Sequence, residues 1–503
     1  MARDPREPIP AGYELRAPVS GAGILDPRSA LLIWGFGSVV LGISISVLLV
    51  QGEVRTVVLL LLGVMGLLCL TPRRGLHILI VFLPFMYLLR RMVLNFQSFE
   101  ARDPILLFPV VTTAAMFLGV LIFYAPRIMR LFSESASLKT LVVLLLLFTL
   151  QVFNPLQGGL LVGVGGGMYF IVPILWCAFG FLLSRKDMDR IFKIVITIGL
   201  ITAIYGLKQH YLGLADVEVY ELKSKQFYKT IAGSGKVRVM SSFASLGDFS
   251  LYLMVAGSLC FSFLMWNRRN LYYAGTLAIC VFTMVWLSVR STMLMLFFSM
   301  LVMLILRGND KKQILVRSVA GLAFTIILYG TLYSYNPTEM YDTRFSANPY
   351  VVHTLSGITH PTQESTFQGR LRHWSGIVRD SVLDRPTGNG LGSTTTAASK
   401  FSGKQVEVDS YFFELFYGSS AVAALAFVIL AFHVLRSLLG LCTSRPDAPT
   451  YRSALALLSG LFLGCVFGMA ARDSITGPLM WLVIGWSIRE DVDMKTGVVE
   501  PEE

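Results

Sequence analysis

The feature that most constrains this chain is a recurrence of apolar runs, each about 20 residues long and so able to cross the hydrocarbon core of a bilayer. They occupy nearly the whole length of the 503 residues. Inside hydrocarbon every backbone N–H and C=O must be bonded within the protein, and a single segment meets that demand only as a helix. The expected fold is therefore all-α: a polytopic membrane helix bundle of about fourteen transmembrane helices. The spans read as 30–50, 54–71, 76–93, 104–124, 138–153, 166–184, 188–211, 245–266, 271–289, 291–307, 315–335, 409–435, 452–470 and 474–488. The stretch from Asn154-Pro155 to Gly165-Gly166-Gly167 also reads as a re-entrant or loop segment, and the last two spans as one broken hairpin. Hydrophobic residues make up 54% and charged residues 15%, with a mean hydropathy of +0.64, which rules out a string of soluble domains. Residues 1–29, with Pro5, Pro8, Pro10 and Pro18, read as a polar tail rather than a cleavable signal peptide.

The net charge of +12 is explained by the enrichment of basic residues in cytoplasmic loops, and nucleic acid is not expected as a partner. With the N-terminus inside, the basic loops hold Arg73-Arg74; Arg127, Arg130 and Lys139; Arg185, Lys186, Arg190 and Lys193; Arg268-Arg269; Arg307, Lys311, Lys312 and Arg317; and Arg436, Arg445 and Arg452. The tail 489–503 then also lies inside, and two long loops, 212–244 and 336–408, lie outside. Both outer loops are rich in Lys and Arg, which suits an anionic substrate next to lipid, although interspersed Asp and Glu equally suit simple solubility. The six cysteines are scattered through apolar segments or a short basic loop, so neither a disulfide framework nor a metal site is expected.

Charges at the membrane edge are costly to bury and therefore informative. Arg290 sits between two spans with a minimal loop and no acidic neighbour in sequence, which favours a functional role. Arg90-Arg91 read as snorkelling anchors, Arg472-Asp473 as a local ion pair and Asp248 as a helix-start residue. In the outer loop, Gly369 to Leu383 has the pattern of a short helix stopped by Asp384-Arg385-Pro386. Arg370, Trp374 and Ile377 would share one face, Arg372 and Arg379 another. Gly388, Gly390 and Gly392 then permit a tight turn before Asp409-Ser410-Tyr411 leads into the next apolar block. Guanidinium groups match phosphate bidentately, so this cluster is a candidate anion site.

Three stretches in this order resemble the O-antigen polymerase and ligase superfamily of bacterial inner-membrane glycosyltransferases. They are Val237-Arg238-Val239-Met240-Ser241-Ser242-Phe243; Leu287-Ser288-Val289-Arg290-Ser291; and Gly369-Arg370 with Trp374, followed by Arg385-Pro386, Gly388/Gly390, Asp409-Ser410-Tyr411 and Gly418. The likeness covers about residues 150–435. The resemblance implies transfer, at the periplasmic face, of a glycan carried on undecaprenyl diphosphate to an acceptor hydroxyl. Neither a nucleotide sugar nor a metal takes part, and no cofactor is implied. Donor and acceptor are both lipid-linked glycans in a polymerase; membrane lipid, a chain-length regulator and a flippase are the further partners it implies. Arg290 and Arg370 would stabilise the diphosphate leaving group. Arg238, Arg372, Arg379 and Trp374 would bind substrate. Ligases of the family begin the helix after the long loop with histidine, where this chain has Asp409. That departure favours a polymerase, with Asp409 as candidate base or acceptor-orienting group, or as a plain helix cap. A ligase, and a transporter without chemistry, remain the alternatives.

The topology is tested with a cysteine placed at Ser365 in a cysteine-free background. An impermeant thiol reagent is expected to label it in cells whose inner membrane is intact; labelling only after lysis reverses the orientation.

Overall fold

A computed structural model of the chain describes residues 54–68, 72–96, 104–219, 239–267, 269–306, 311–334, 365–445 and 448–497. Arg238, the expected first span 30–50, the two tails beyond these limits, residues 220–238 of the first long loop and 336–364 of the second lie outside the described residues. The chain divides into two compact units, 1–61 and 62–503, the first described only over the start of the helix Val54–Leu68. The helix bundle belongs to the second unit.

Every regular element among the described residues is helical. Seven helices are long and apolar enough to cross a membrane: Pro72–Met92, Ile105–Glu134, Leu160–Gly180, Arg185–Leu212, Leu246–Trp266, Ala421–Ser444 and Pro449–Phe467. Three shorter apolar helices accompany them, Ala136–Val152, Leu271–Leu287 and Arg290–Leu306. The described residues are therefore all-helical, and the chain is a multi-pass membrane protein. The helix Thr476–Thr496 misses the apolar threshold because Arg489, Glu490, Asp491, Asp493 and Lys495 crowd its second half. The span expected at 409–435 begins later, at Ala421, because 411–419 forms a separate broken turn. Gly165, Gly166 and Gly167 lie inside the helix Leu160–Gly180; only Asn154 to Gly159 leave the helical path, with Asn154 capping a single 3-10 turn and Gly158 at φ 92°.

The bundle is held by close backbone approach. The helices Leu160–Gly180 and Thr476–Thr496 make the most extensive contact. A Cβ on Gly485 would collide with the carbonyl of Cys177, and one on Gly180 would lie 2.5 Å from the backbone nitrogen of Trp486. Small residues at such crossings let helices gain dispersion contacts where no hydrophobic effect separates helix from lipid. At one end of this pair, Arg489 donates to the Leu183 carbonyl and Arg73 to the Leu182 carbonyl at 3.4 Å. Arg130 reaches Asp493 at 3.1 Å. Three basic residues of separate helices thus gather at the end where the helix Leu160–Gly180 finishes, and the candidate site lies at the opposite end.

Arg91 corrects an expectation. It is 1% exposed rather than snorkelling. It donates to the Ser241 carbonyl at 2.6 Å and to that of Phe243, beside Glu218 at 4.0 Å. Glu218 in turn accepts from Tyr205 and from the Ala215 backbone, both at 2.8 Å. The charge is buried because carbonyls and a carboxylate surround it, and it ties Pro72–Met92 to the loop entering Leu246–Trp266.

Gly485→Val forces its new side chain into the Cys177 backbone. It is expected to lower the stability of the purified protein by about 1–3 kcal/mol, as overpacking does. Gly440→Val, with nothing within 4 Å of the added Cβ, should leave the melting temperature unchanged in detergent.

Candidate functional site

The site is built on the loop that the glycine spacing predicts. Gly388 and Gly390 adopt φ of 78° and 93°, conformations that a side chain resists. The freed backbone enters the bundle. Asn389 and Gly390 donate to the carbonyls of Tyr417 and Gly418, both at 2.9 Å. Gly392 donates to Gln157 Oε1 at 3.0 Å, and Asn154 Nδ2 donates to the Gly388 carbonyl at 3.0 Å. A Cβ on Gly166 would lie 2.5 Å from the Gly392 nitrogen, and one on Gly390 would lie 2.6 Å from the Gln157 side chain. Residues 388–395 are consequently buried, clamped between the end of one helix, the start of another and the segment 411–419.

That segment is irregular in a way that positions side chains. One α-turn, Tyr411–Glu414, passes into a π-turn, Leu415–Ser419. A second π-turn, Asp380–Asp384, closes the surface helix Ser365–Arg379. Such turns concentrate at functional sites. Ser420, which caps the span Ala421–Ser444 through the Ala423 nitrogen, is held at φ 149°, where a residue with a side chain is strained.

The surface helix presents the expected face. Trp374 and Ile377 are buried and Arg370 half-buried, while Arg372 and Arg379 are exposed on the other side. Trp374 stacks on Phe413 with centroids 4.6 Å apart, and its Nε1 donates to Asp409 Oδ1 at 3.2 Å. Arg370 forms an ion pair with the other oxygen of Asp409, and the Nε2 of His373 lies 3.0 Å from the Glu407 carbonyl. Both partners of that ion pair are about two-fifths exposed, 41% and 42%. Screening limits such a pair to about 1 kcal/mol or less, so the buried Trp374 rather than the charge docks the helix. Asp409 is not the cap of the following turn. Ser410 fills that role, accepting from the Phe413 nitrogen at 3.4 Å.

Sequence reasoning missed Glu414 and misread Arg472. The Glu414 side chain is fully buried, and Arg472 Nε lies 2.9 Å from its Oε2. Asp473, the expected partner of Arg472, instead accepts from the backbone and hydroxyl of Thr476 at 2.5 and 2.7 Å, at the start of the last helix. The guanidinium of Arg472 rests over the rings of Tyr169 and Phe170, at 6.0 and 5.8 Å. Burial pushes the Glu414 carboxyl up to about 7, against the opposing pull of Arg472 and of the Thr394 hydroxyl. The available signal was an acidic residue inside the apolar run Tyr411 to Tyr417.

The structure therefore brings together Arg370, Trp374 and Asp409, and adds Glu414 and Arg472. Arg290 opens a different helix. Its helix, Arg290–Leu306, lies against Pro449–Phe467 and Leu246–Trp266, whereas the surface helix packs on 411–419. Asp248 is the third residue of its helix, donating its backbone nitrogen to Ser245 Oγ at 3.2 Å, in keeping with a helix-start role. Among the described residues no three His, Cys, Asp or Glu side chains converge as metal ligands. No protein-family model matches the chain, and no curated protein matches it.

Trp374→Ala is expected to cost about 3 kcal/mol and to expose 365–379 to protease, as loss of a buried tryptophan does. Trp374→Phe keeps the stack and gives up only the Asp409 hydrogen bond, about 1 kcal/mol. Equal melting temperatures and equal protease resistance for the two variants would place the docking energy elsewhere.

Proposed function

We propose that the protein is a glycosyltransferase of the bacterial inner membrane that polymerises oligosaccharide repeat units carried on undecaprenyl diphosphate at the periplasmic face. The observation that carries the reading is the cluster Arg370–Asp409–Trp374. A half-exposed cation and carboxylate meet at one end of an apolar bundle, and a buried indole bonds the carboxylate. A lipid-borne diphosphate would meet the cation and a hydroxyl would meet the carboxylate.

The chemistry follows from these groups. The bond between the anomeric carbon and the diphosphate breaks, and the electron pair leaves on the phosphate oxygen. A positioned guanidinium stabilises that developing charge, with one such contact worth about 3 kcal/mol. The acceptor hydroxyl attacks the anomeric carbon and gives up its proton, to which Asp409 is the candidate acceptor. Arg370 has two calls on it, since it pairs with Asp409 and would also bind the diphosphate. Its turning from one to the other would free the carboxylate for the hydroxyl as the donor arrives. Arg290 would contribute a second guanidinium from the membrane edge, and Arg372 and Arg379 a basic outer surface that attracts the carrier.

Arg370→Lys and Arg290→Lys are each expected to lower polymer about a hundredfold in a deletion background, with protein at its normal level in the membrane. A lysine offers a point charge and loses the bidentate geometry. Arg385→Lys, beside the glycine turn, should retain polymer. Full polymer from both Arg290→Lys and Arg370→Lys would remove the diphosphate clamp. In the deletion strain itself, single repeat units on lipid mark a polymerase, and long unattached chains mark a ligase.

A further inference from the structure

Arg472 has more hydrogen-bonding capacity than the protein uses. A guanidinium carries five N–H donors in a rigid fork. The Arg472 side chain is only 17% exposed, yet its single polar contact is Nε to Glu414. Among the described residues its two terminal amino groups, four N–H donors in all, have no acceptor. The neighbouring Asp473 turns its Oδ1 to the backbone of Ile475 and Thr476 and to the Thr476 hydroxyl, and its carboxyl also faces Asp248. Tyr169 and Phe170 support the plane of the guanidinium from the helix Leu160–Gly180.

The opposite side of the pair is equally underused. Neither carboxylate oxygen of Glu414 has an aligned hydrogen bond, and the buried hydroxyls of Tyr411 and Thr394 also lack one. The groups that act on Glu414 are Arg472, from the turn before the last helix, and the Thr394 hydroxyl, from the clamped loop. Tyr411 faces the same pair from Glu414's own turn. Arg472 is thus the charge that opposes the protonation favoured by burial.

We propose that Arg472 and Glu414 form a proton-coupled binding site for a diphosphate. The anion takes the free fork of Arg472, and Glu414, losing its counter-charge, takes up one proton. A dianion can draw the guanidinium away from a single carboxylate because it offers more charge and several acceptor oxygens. Once Arg472 is engaged elsewhere, a desolvated carboxylate is stable only when neutral. The charge balance closes: one anion and one proton enter, and one buried ion pair is replaced by a neutral acid beside a ligand-bound arginine. The site rests on the reading of the protein as acting on a diphosphate carrier, and it adds a group that reports the carrier's arrival.

The test is calorimetric titration of the full-length protein in detergent micelles, at pH 7, in two buffers of different ionisation enthalpy. The probes are inorganic diphosphate and geranylgeranyl diphosphate. Because the anion removes the counter-charge of Glu414, the wild type should take up more protons on binding than Glu414→Gln does. Subtracting the variant removes protons that belong to the probe itself. Glu414→Gln should bind at least as tightly as the wild type. Arg472→Lys, which keeps a charge beside Glu414 and so preserves the fold, should bind about tenfold more weakly. Tighter binding of the prenyl form assigns the site to a lipid headgroup, and equal binding assigns it to free diphosphate. Unchanged affinity in Arg472→Lys, or the same proton uptake in Glu414→Gln, overturns the proposal. Failure here with polymer still lost in Arg370→Lys removes only this site. Binding as expected, with normal polymer in the deletion strain, removes only the transfer reading.

Discussion

The site depends on one steric constraint, the seating of a glycine loop against helix backbone. Gly392 lies against Gly166 and against the backbone of Val162, where a Cβ on either glycine would collide. Polar backbone buried in this way has to be bonded. Gln157, Asn154, Tyr417 and Gly418 supply those bonds. The loop then fixes 411–419, which carries Asp409 at its entrance and Glu414 within. Helix packing, loop and chemistry are therefore one mechanical unit, although its parts are distant in sequence. Gln151 donates to the Thr387 carbonyl, 236 positions away, at 2.6 Å, and Tyr411 donates to the Gly468 carbonyl at 2.8 Å.

Two carboxylates five residues apart end in opposite environments. Asp409 is half-exposed, paired with Arg370 and hydrogen-bonded to Trp374. Glu414 is sealed from solvent, faces Arg472 and holds its proton more tightly than an ordinary glutamate. One is suited to meeting a substrate hydroxyl and the other to responding to charge that arrives nearby.

The helical class was legible because apolar runs of bilayer length leave the backbone no alternative. Legible too was the inward face Arg370–Trp374–Ile377, since a period of 3.6 aligns residues i, i+4 and i+7. Boundaries were harder. The broken turn at 411–419 is rich in aromatic residues and runs directly into the span, so the sequence merges the two. Partners distant in sequence were not legible at all. Arg91 reads as an anchor until the carbonyls of Ser241 and Phe243 are seen to surround it. Arg472 reads as the partner of its neighbour Asp473 until the fold delivers Glu414 from a loop fifty-eight residues away. Charge pairing follows spatial neighbours, and a local pattern cannot name them.

The central claim is transfer of a glycan from a lipid diphosphate, and its most direct measurement is a reconstituted reaction. The purified protein in liposomes is given a polyprenyl-diphosphate-linked oligosaccharide with no nucleotide sugar, and the lipid products and glycan lengths are resolved by mass spectrometry. The account predicts one free polyprenyl diphosphate for each new linkage, with glycans lengthening in steps of the whole repeat and Arg370→Lys nearly inactive. Substrate that remains unchanged with the wild-type protein, or lengthening that releases no polyprenyl diphosphate, would contradict it.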